Sequence, residues 1–103
     1  MKQYKVTKEL YPFVRRVLTK GFHKFSFNKK EDGNWICETP ISSDKFHNIV
    51  QRAYCEKRSK EDGVFYVTSR ERNSTLLLAS LLEAANVKSY SVIDDPELNK
   101  SYN

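Results

Sequence analysis

The chain has 103 residues, 30% of them charged and 39% hydrophobic, with three glycines and three prolines. That length suits one compact domain with its own core, and 13% aromatic content argues against disorder along the whole chain. No apolar run approaches the roughly 20 residues needed to span a bilayer. Met1-Lys2-Gln3-Tyr4-Lys5 leads into no apolar run of the secretory kind, and Cys37 and Cys55 are too few for a disulfide framework. The expectation is a cytosolic protein with reduced thiols and no membrane association. Its domain is expected to span 1–96, with a loose tail over 97–103.

Charge is segregated along the chain. Residues 1–30 hold nine Lys or Arg against Glu9 alone, residues 31–62 hold five basic and seven acidic side chains, and residues 63–103 hold four and five. A basic third raises the local concentration of anionic partners such as nucleic acid, acidic proteins or anionic lipid headgroups.

In chain order, Gln3–Val6 reads as a marginal first strand. Leu10, Phe13, Val14, Val17 and Leu18 then fall at i, i+3, i+4, i+7 and i+8, which predicts a helix over 9–20 that stops at Gly21. Lys8, Arg15, Arg16 and Lys20 lie off its apolar stripe. Phe25 and Phe27 alternate in a strand, Lys29 to Gly33 signals a turn, and Asn34–Glu38 returns as the second arm of a hairpin. Ser42, Ser43 and Asp44 offer caps for a helix over 44–58 with Phe46, Ile49, Val50, Ala53 and Tyr54 on one face. Residues 56–63 read as a solvated loop, and Val64–Val67 as a short strand.

Asn73, Ser74 or Thr75 caps a third helix through 85, apolar nearly all round, which predicts a buried helix or a subunit interface. Asn86 suits its left-handed C′ position, and Ser89–Ile93 forms the last strand. The resulting fold class is α/β (α+β-like): a mixed sheet of four or five strands with three helices, containing a hairpin and a C-terminal βαβ unit.

The segment 68–75 would join a parallel strand to a helix N-terminus, where open α/β sheets place ligands. Thr68, Ser69, Arg70, Arg72 and Ser74 are the candidate small-anion site there; the competing assignment is that the hydroxyls cap and the arginines hold Glu71, Asp94 or Asp95. Residues 64–87, Val-Phe-Tyr-Val-Thr-Ser-Arg-Glu-Arg-Asn-Ser-Thr and the leucine-rich run after it, resemble in outline the strand–loop–helix of rhodanese-like domains, a pattern shared with βαβ units generally. The resemblance implies an anion cradle. That family's nucleophilic cysteine is replaced by Thr68 or Ser69, so sulfur transfer by it is excluded.

The common hydrolase, zinc-protease and dithiol motifs are absent, and only His23 and His47 could serve as near-neutral bases. A Cys37–His23 pair across the hairpin and a cation site at Asp94, Asp95 and Glu97 are the residual chemical candidates; core cysteine and solvated turn are the simpler assignments. No enzyme activity, cofactor or metal is implied. The favoured reading is a binding protein whose basic N-terminal face, Lys5, Lys8, Arg15, Arg16, Lys20 and Lys24, contacts an anionic macromolecule, with nucleic acid ahead of an acidic protein. The aromatics interleaved with these cations, Tyr4, Tyr11, Phe22, Phe25, Phe27 and Trp35, are expected to serve the core. The competing reading is an interaction module using helix 74–85 as a homodimer or partner face.

Overall fold

A computed structural model describes residues 1–93 as five strands and four helices. The acidic cluster at 94–97, the domain end at 96 and the tail over 97–103 lie outside the described residues. Among the described residues, no helix is long and apolar enough to cross a membrane.

The sequence-based outline is correct in class and in the hairpin, but the sheet is divided. β1 (Lys2–Val6), β2 (Ser26–Lys29) and β3 (Trp35–Thr39) form an antiparallel sheet in the order β1-β3-β2. β4 (Tyr66–Val67) and β5 (Ser91–Val92) form a separate parallel pair of two residues each, instead of extending one mixed sheet. β3 is central because its alternation satisfies two neighbours at once. Cys37 lies opposite Tyr4 on one side and Phe27 on the other, and these three side chains share the inner face.

α1 (Tyr11–Lys20) and α2 (Ser43–Asp62) cover that inner face. Val14 and Leu18 of α1, Phe46, Ile49, Val50 and Ala53 of α2, and Val6 and Cys37 of the sheet make one buried cluster. Tyr11 stacks on Trp35 with ring centroids 3.9 Å apart, and Tyr4 stacks on Phe46 at 4.1 Å, so both helices are pinned to the sheet by aromatic pairs.

α2 continues through the stretch expected to be a loop. Lys57–Glu61 and Arg58–Asp62 pair one turn apart at 3.2 and 3.4 Å, and Gly63 caps the end at φ +70°. A run of mixed charge with this spacing carries its own helical partners, although each exposed pair contributes only about 0.3–0.5 kcal/mol.

The second correction concerns 68–75. It is not a strand-to-helix loop: α3 (Ser69–Asn73) occupies it, followed directly by α4 (Thr75–Ala85), giving four helices instead of three. α3 and α4 together make the crossover between β4 and β5. The third correction concerns α4, which has no buried residue; Leu77, Leu78, Leu81 and Leu82 are half-buried and Leu76 is 86% exposed. Within the described residues its main neighbour is α3, so a leucine-rich sequence alone does not bury it.

Both thiols are buried, and burial raises the Cys37 pKa to about 11 and the Cys55 pKa to about 12. The folded chain therefore holds these protons to higher pH than the unfolded chain, whose thiols ionise near 9.0. Their contribution to stability is therefore complete below pH 9 and is lost as pH rises toward 11 and 12. Iodoacetamide at pH 8 is expected to leave the native protein unlabelled and to label both cysteines once urea unfolds it. Labelling of the native chain at the rate of the unfolded one would contradict this burial.

Candidate functional site

α1 separates an apolar face from a cationic one. Pro12 opens the helix, Val14 and Leu18 are buried, and no acidic residue occupies the first turn. The side chains a quarter-turn or more from that stripe, Arg15, Arg16, Thr19 and Lys20, are exposed and together with Pro12 line a shallow depression of about 360 Å³. The Arg16 guanidinium lies 5.5 Å from the Phe13 ring centroid, which fixes it against the helix while its N–H groups stay wet.

All six cations singled out from the sequence are exposed, and none forms an ion pair with a described residue. By contrast Arg52, Lys57 and Arg58 on α2 are all paired. The six do not form one face. Lys5 stands between inward-facing Tyr4 and Val6, so it projects from the open face of the sheet, opposite the helices. It lies close enough to Asp32 in the hairpin turn to help lower that carboxyl's pKa, mainly set by the Asn34 backbone N–H. Lys8 reaches toward the same turn, its Cδ 3.6 Å from where a Cβ on Gly33 would sit. Lys24 is at the other end of β3, where its carbonyl accepts from the Thr39 hydroxyl at 2.6 Å. Arg15, Arg16 and Lys20 are the three that group.

Beside them is a residue the sequence reading assigned to the core. α1 ends in a paired cap: His23 N–H donates to Leu18 O and Phe22 N–H to Thr19 O, each at 3.1 Å. That pattern puts the left-handed position at Phe22, φ +56°, and leaves Gly21 one place earlier at φ −85°. A Cβ at Gly21 would lie 2.7 Å from the His23 ring, so a larger residue there would require that side chain to shift. Phe22 is 95% exposed in a backbone conformation that costs a non-glycine residue about 1–2 kcal/mol. The other five interleaved aromatics are at least half-buried, as expected for core residues. The missed signal was the offset of one residue between Gly21 and the cap position.

The 68–75 residues serve α3 and α4. Thr68 Oγ1 accepts from Glu71 N–H and the Glu71 carboxylate accepts from Thr68 N–H, a reciprocal cap; Ser74 Oγ accepts from Leu77 N–H. These hydroxyls and backbone donors are engaged with each other. Ser69 also has a partner within the fold, and Arg70 and Arg72 are exposed. Glu71 is held by Arg52, not by either of these arginines: Arg52 Nη1 is 3.0 Å from both its carboxylate oxygens.

Cys37 is enclosed in the core with a raised pKa, and the His23 ring packs against Gly21, so this pair has no activated thiolate. Among the described residues no group of three or more His, Cys, Asp or Glu could hold a metal ion.

A groove lies between α4 and the α1–α2 pair. Its wider end, about 310 Å³, is lined by Val17, Ile49, Leu77 and Leu81 with Lys45 and Arg70 at the margin. The narrower end, about 230 Å³, is lined by Val17, Phe65, Leu81, Ala84 and Ala85 with Arg52, Glu56 and Lys20. No family model, curated protein or solved structure matches the chain.

Proposed function

We propose that this protein is a non-enzymatic binding protein for single-stranded nucleic acid, and that α1 and its C-terminal cap are the contact surface. The observation that carries this reading is Phe22: an almost fully exposed aromatic, held at positive φ, directly after a helix whose Arg15, Arg16 and Lys20 have no acidic partner among the described residues. Unpaired cations neutralise phosphate, and an exposed ring offers a stacking platform to an unpaired base but not to one inside a duplex. The left-handed backbone at Phe22 serves the α1 cap, but the cap makes no use of a large ring that is 95% exposed, and a binding role accounts for that ring. Lys24 and His23 flank the same cap; Lys5 and Lys8 stand apart and contribute at most long-range attraction.

The test is fluorescence anisotropy with labelled single-stranded DNA, single-stranded RNA and duplex DNA. If three phosphates are contacted, single-strand affinity should fall about 20-fold between roughly 50 and 200 mM salt. The triple variant Arg15→Glu, Arg16→Glu, Lys20→Glu should abolish binding, whereas Lys5→Glu should leave it near the native level. Phe22→Gly should weaken single-strand binding about tenfold or more through lost stacking. The same change should raise the melting temperature by a few degrees, because glycine relieves the cap. No binding at 50 mM salt, or full affinity in either the triple variant or Phe22→Gly, would sink the proposal.

A further inference from the structure

α4 holds eight Leu or Ala among its eleven residues, yet none of them is buried. Leu77 and Leu81 are half-buried and look across the groove at Val17 of α1 and Ile49 of α2. An apolar body laid between these walls would be taken out of water on both sides. Charge is distributed unequally along the same groove. At its wide end stand Lys45 and Arg70, both exposed and neither in an ion pair among the described residues. Arg52 and Glu71 also line that end, but they neutralise each other, with Arg52 Nη1 3.0 Å from both carboxylate oxygens. At the narrow end Lys20 and Glu56 carry opposite charges. One end of the groove therefore has two uncompensated cations, and the other has no net charge.

We propose that this groove binds a free medium-chain alkyl carboxylate, with its head at the Lys45 and Arg70 end and its chain laid along α4 toward Ala84. The side chains that meet the head are exposed and lie at the margin, so no buried group has to be reached. Length selects the chain: Leu77 to Ala84 is two helical turns, roughly 10 Å, about the reach of an extended eight-carbon chain. Charge selects the head. An ammonium would meet two uncompensated cations, and an alcohol would gain from neither. Lys20 does not draw the carboxylate to the narrow end, because Glu56 lines the same walls and repels it. Positive charge at one end only also favours a single-headed amphiphile over an acidic peptide helix, whose charges run along its whole length.

Hexanoate, octanoate, decanoate, 1-octanol and octylamine, titrated into the full chain at pH 7 and followed by proton–nitrogen NMR, test this. Octanoate should saturate with a dissociation constant tighter than about 10 mM, a weak-efficiency bound for a ligand of its size. It should move the amides of Leu77, Leu81 and Ala84. Affinity should rise about tenfold from hexanoate to octanoate, roughly threefold for each buried methylene, and decanoate should add little because the groove is full. 1-Octanol should bind about three- to tenfold more weakly than octanoate, the scale of two solvent-exposed ion pairs, and octylamine more weakly still. Lys45→Glu combined with Arg70→Glu, both at exposed positions, should reverse the preference for octanoate and leave 1-octanol unchanged. Ala84→Trp, also at an exposed position, should shorten the groove and bring octanoate down to the affinity of hexanoate. Absence of saturation by octanoate, equal affinity for octanoate and octylamine, or shifts confined to Arg15, Arg16 and Lys20 would each overturn the proposal. So would sedimentation as a dimer with the α4 amides protected from exchange and unmoved by octanoate, which would make a second copy the occupant.

Discussion

Replacing Glu71 with alanine is expected to destabilise the protein by about 3–5 kcal/mol, the usual consequence of leaving one partner of a buried ion pair alone. Glu71 is 2% exposed and accepts three hydrogen bonds, two from Arg52 and one from the Thr68 backbone at 2.8 Å. Alanine strands the Arg52 guanidinium, opens the reciprocal cap that starts α3, and frees the joint between α2 and the β4–α3–α4–β5 unit. Two more variants separate these effects. Glu71→Gln keeps the shape and an acceptor, so it should cost less. A paired apolar replacement, Arg52→Met with Glu71→Leu, should lie nearer to the native protein than Glu71→Ala, because no charge is left buried. Urea titration followed by far-ultraviolet circular dichroism measures all three. A Glu71→Ala midpoint within about 1 kcal/mol of the native value, the range of a neutral hydrogen bond, would show that the pair is not a tie.

Local sequence fixes the elements whose information is periodic. The α1 stripe, the hairpin with its Asp32-Gly33 turn and the start of α2 at Ser42 can be read directly, because a helix of period 3.6 and a strand of period 2 leave different marks. The division into two sheets cannot be read this way. It depends on β1 choosing β3 as its neighbour, with Val6 opposite Trp35 and Lys2 opposite Thr39, and on β4 and β5 being two residues long. The extension of α2 was hidden because the charged residues at 57–62 look like a loop until their partners one turn away are counted. α4 shows the opposite error: Leu76-Leu77-Leu78 and Leu81-Leu82 suggest burial, but hydrophobicity states what a helix would gain and not whether another layer is there to cover it. At the candidate site the cations were legible as a set and not as a surface, since one strand residue, Lys5, belongs to the opposite side of the sheet. Phe22 was not legible because its exposure follows from a cap geometry that slips one residue past the glycine. Arg52 and Glu71 were missed because a pairing of charges 19 residues apart leaves no spacing pattern in the sequence.

Phe46→Ala is the matching perturbation of the other half of the molecule, and it is expected to cost about 3–5 kcal/mol through lost burial and an unfilled cavity. Phe46 is fully buried in the first turns of α2 and lies 4.1 Å from the Tyr4 ring at an interplanar angle of 10°. That stack joins α2 to the edge strand β1, and the Tyr4 hydroxyl donates to the Ile41 carbonyl at 2.6 Å just before the helix begins. Alanine therefore removes the packing that holds an edge strand and weakens the setting of a buried-end hydrogen bond. Phe46→Leu keeps most of the volume but not the stack, so it should cost less, with the aromatic contribution alone worth about 0.5–1.5 kcal/mol. Trp35, stacked on Tyr11 beside this region, reports it by fluorescence, whereas the far-ultraviolet signal sums α1 and α2 of this half with α3 and α4 of the βαβ unit. If the antiparallel sheet and the βαβ unit unfold together, Phe46→Ala and Glu71→Ala will each lower both signals in one coincident transition. If Phe46→Ala moves the Trp35 transition and splits the helical signal into an early step from α1 and α2 and a later one from α3 and α4, the tie through Arg52 and Glu71 joins two units that melt separately, and stability must be assigned to each.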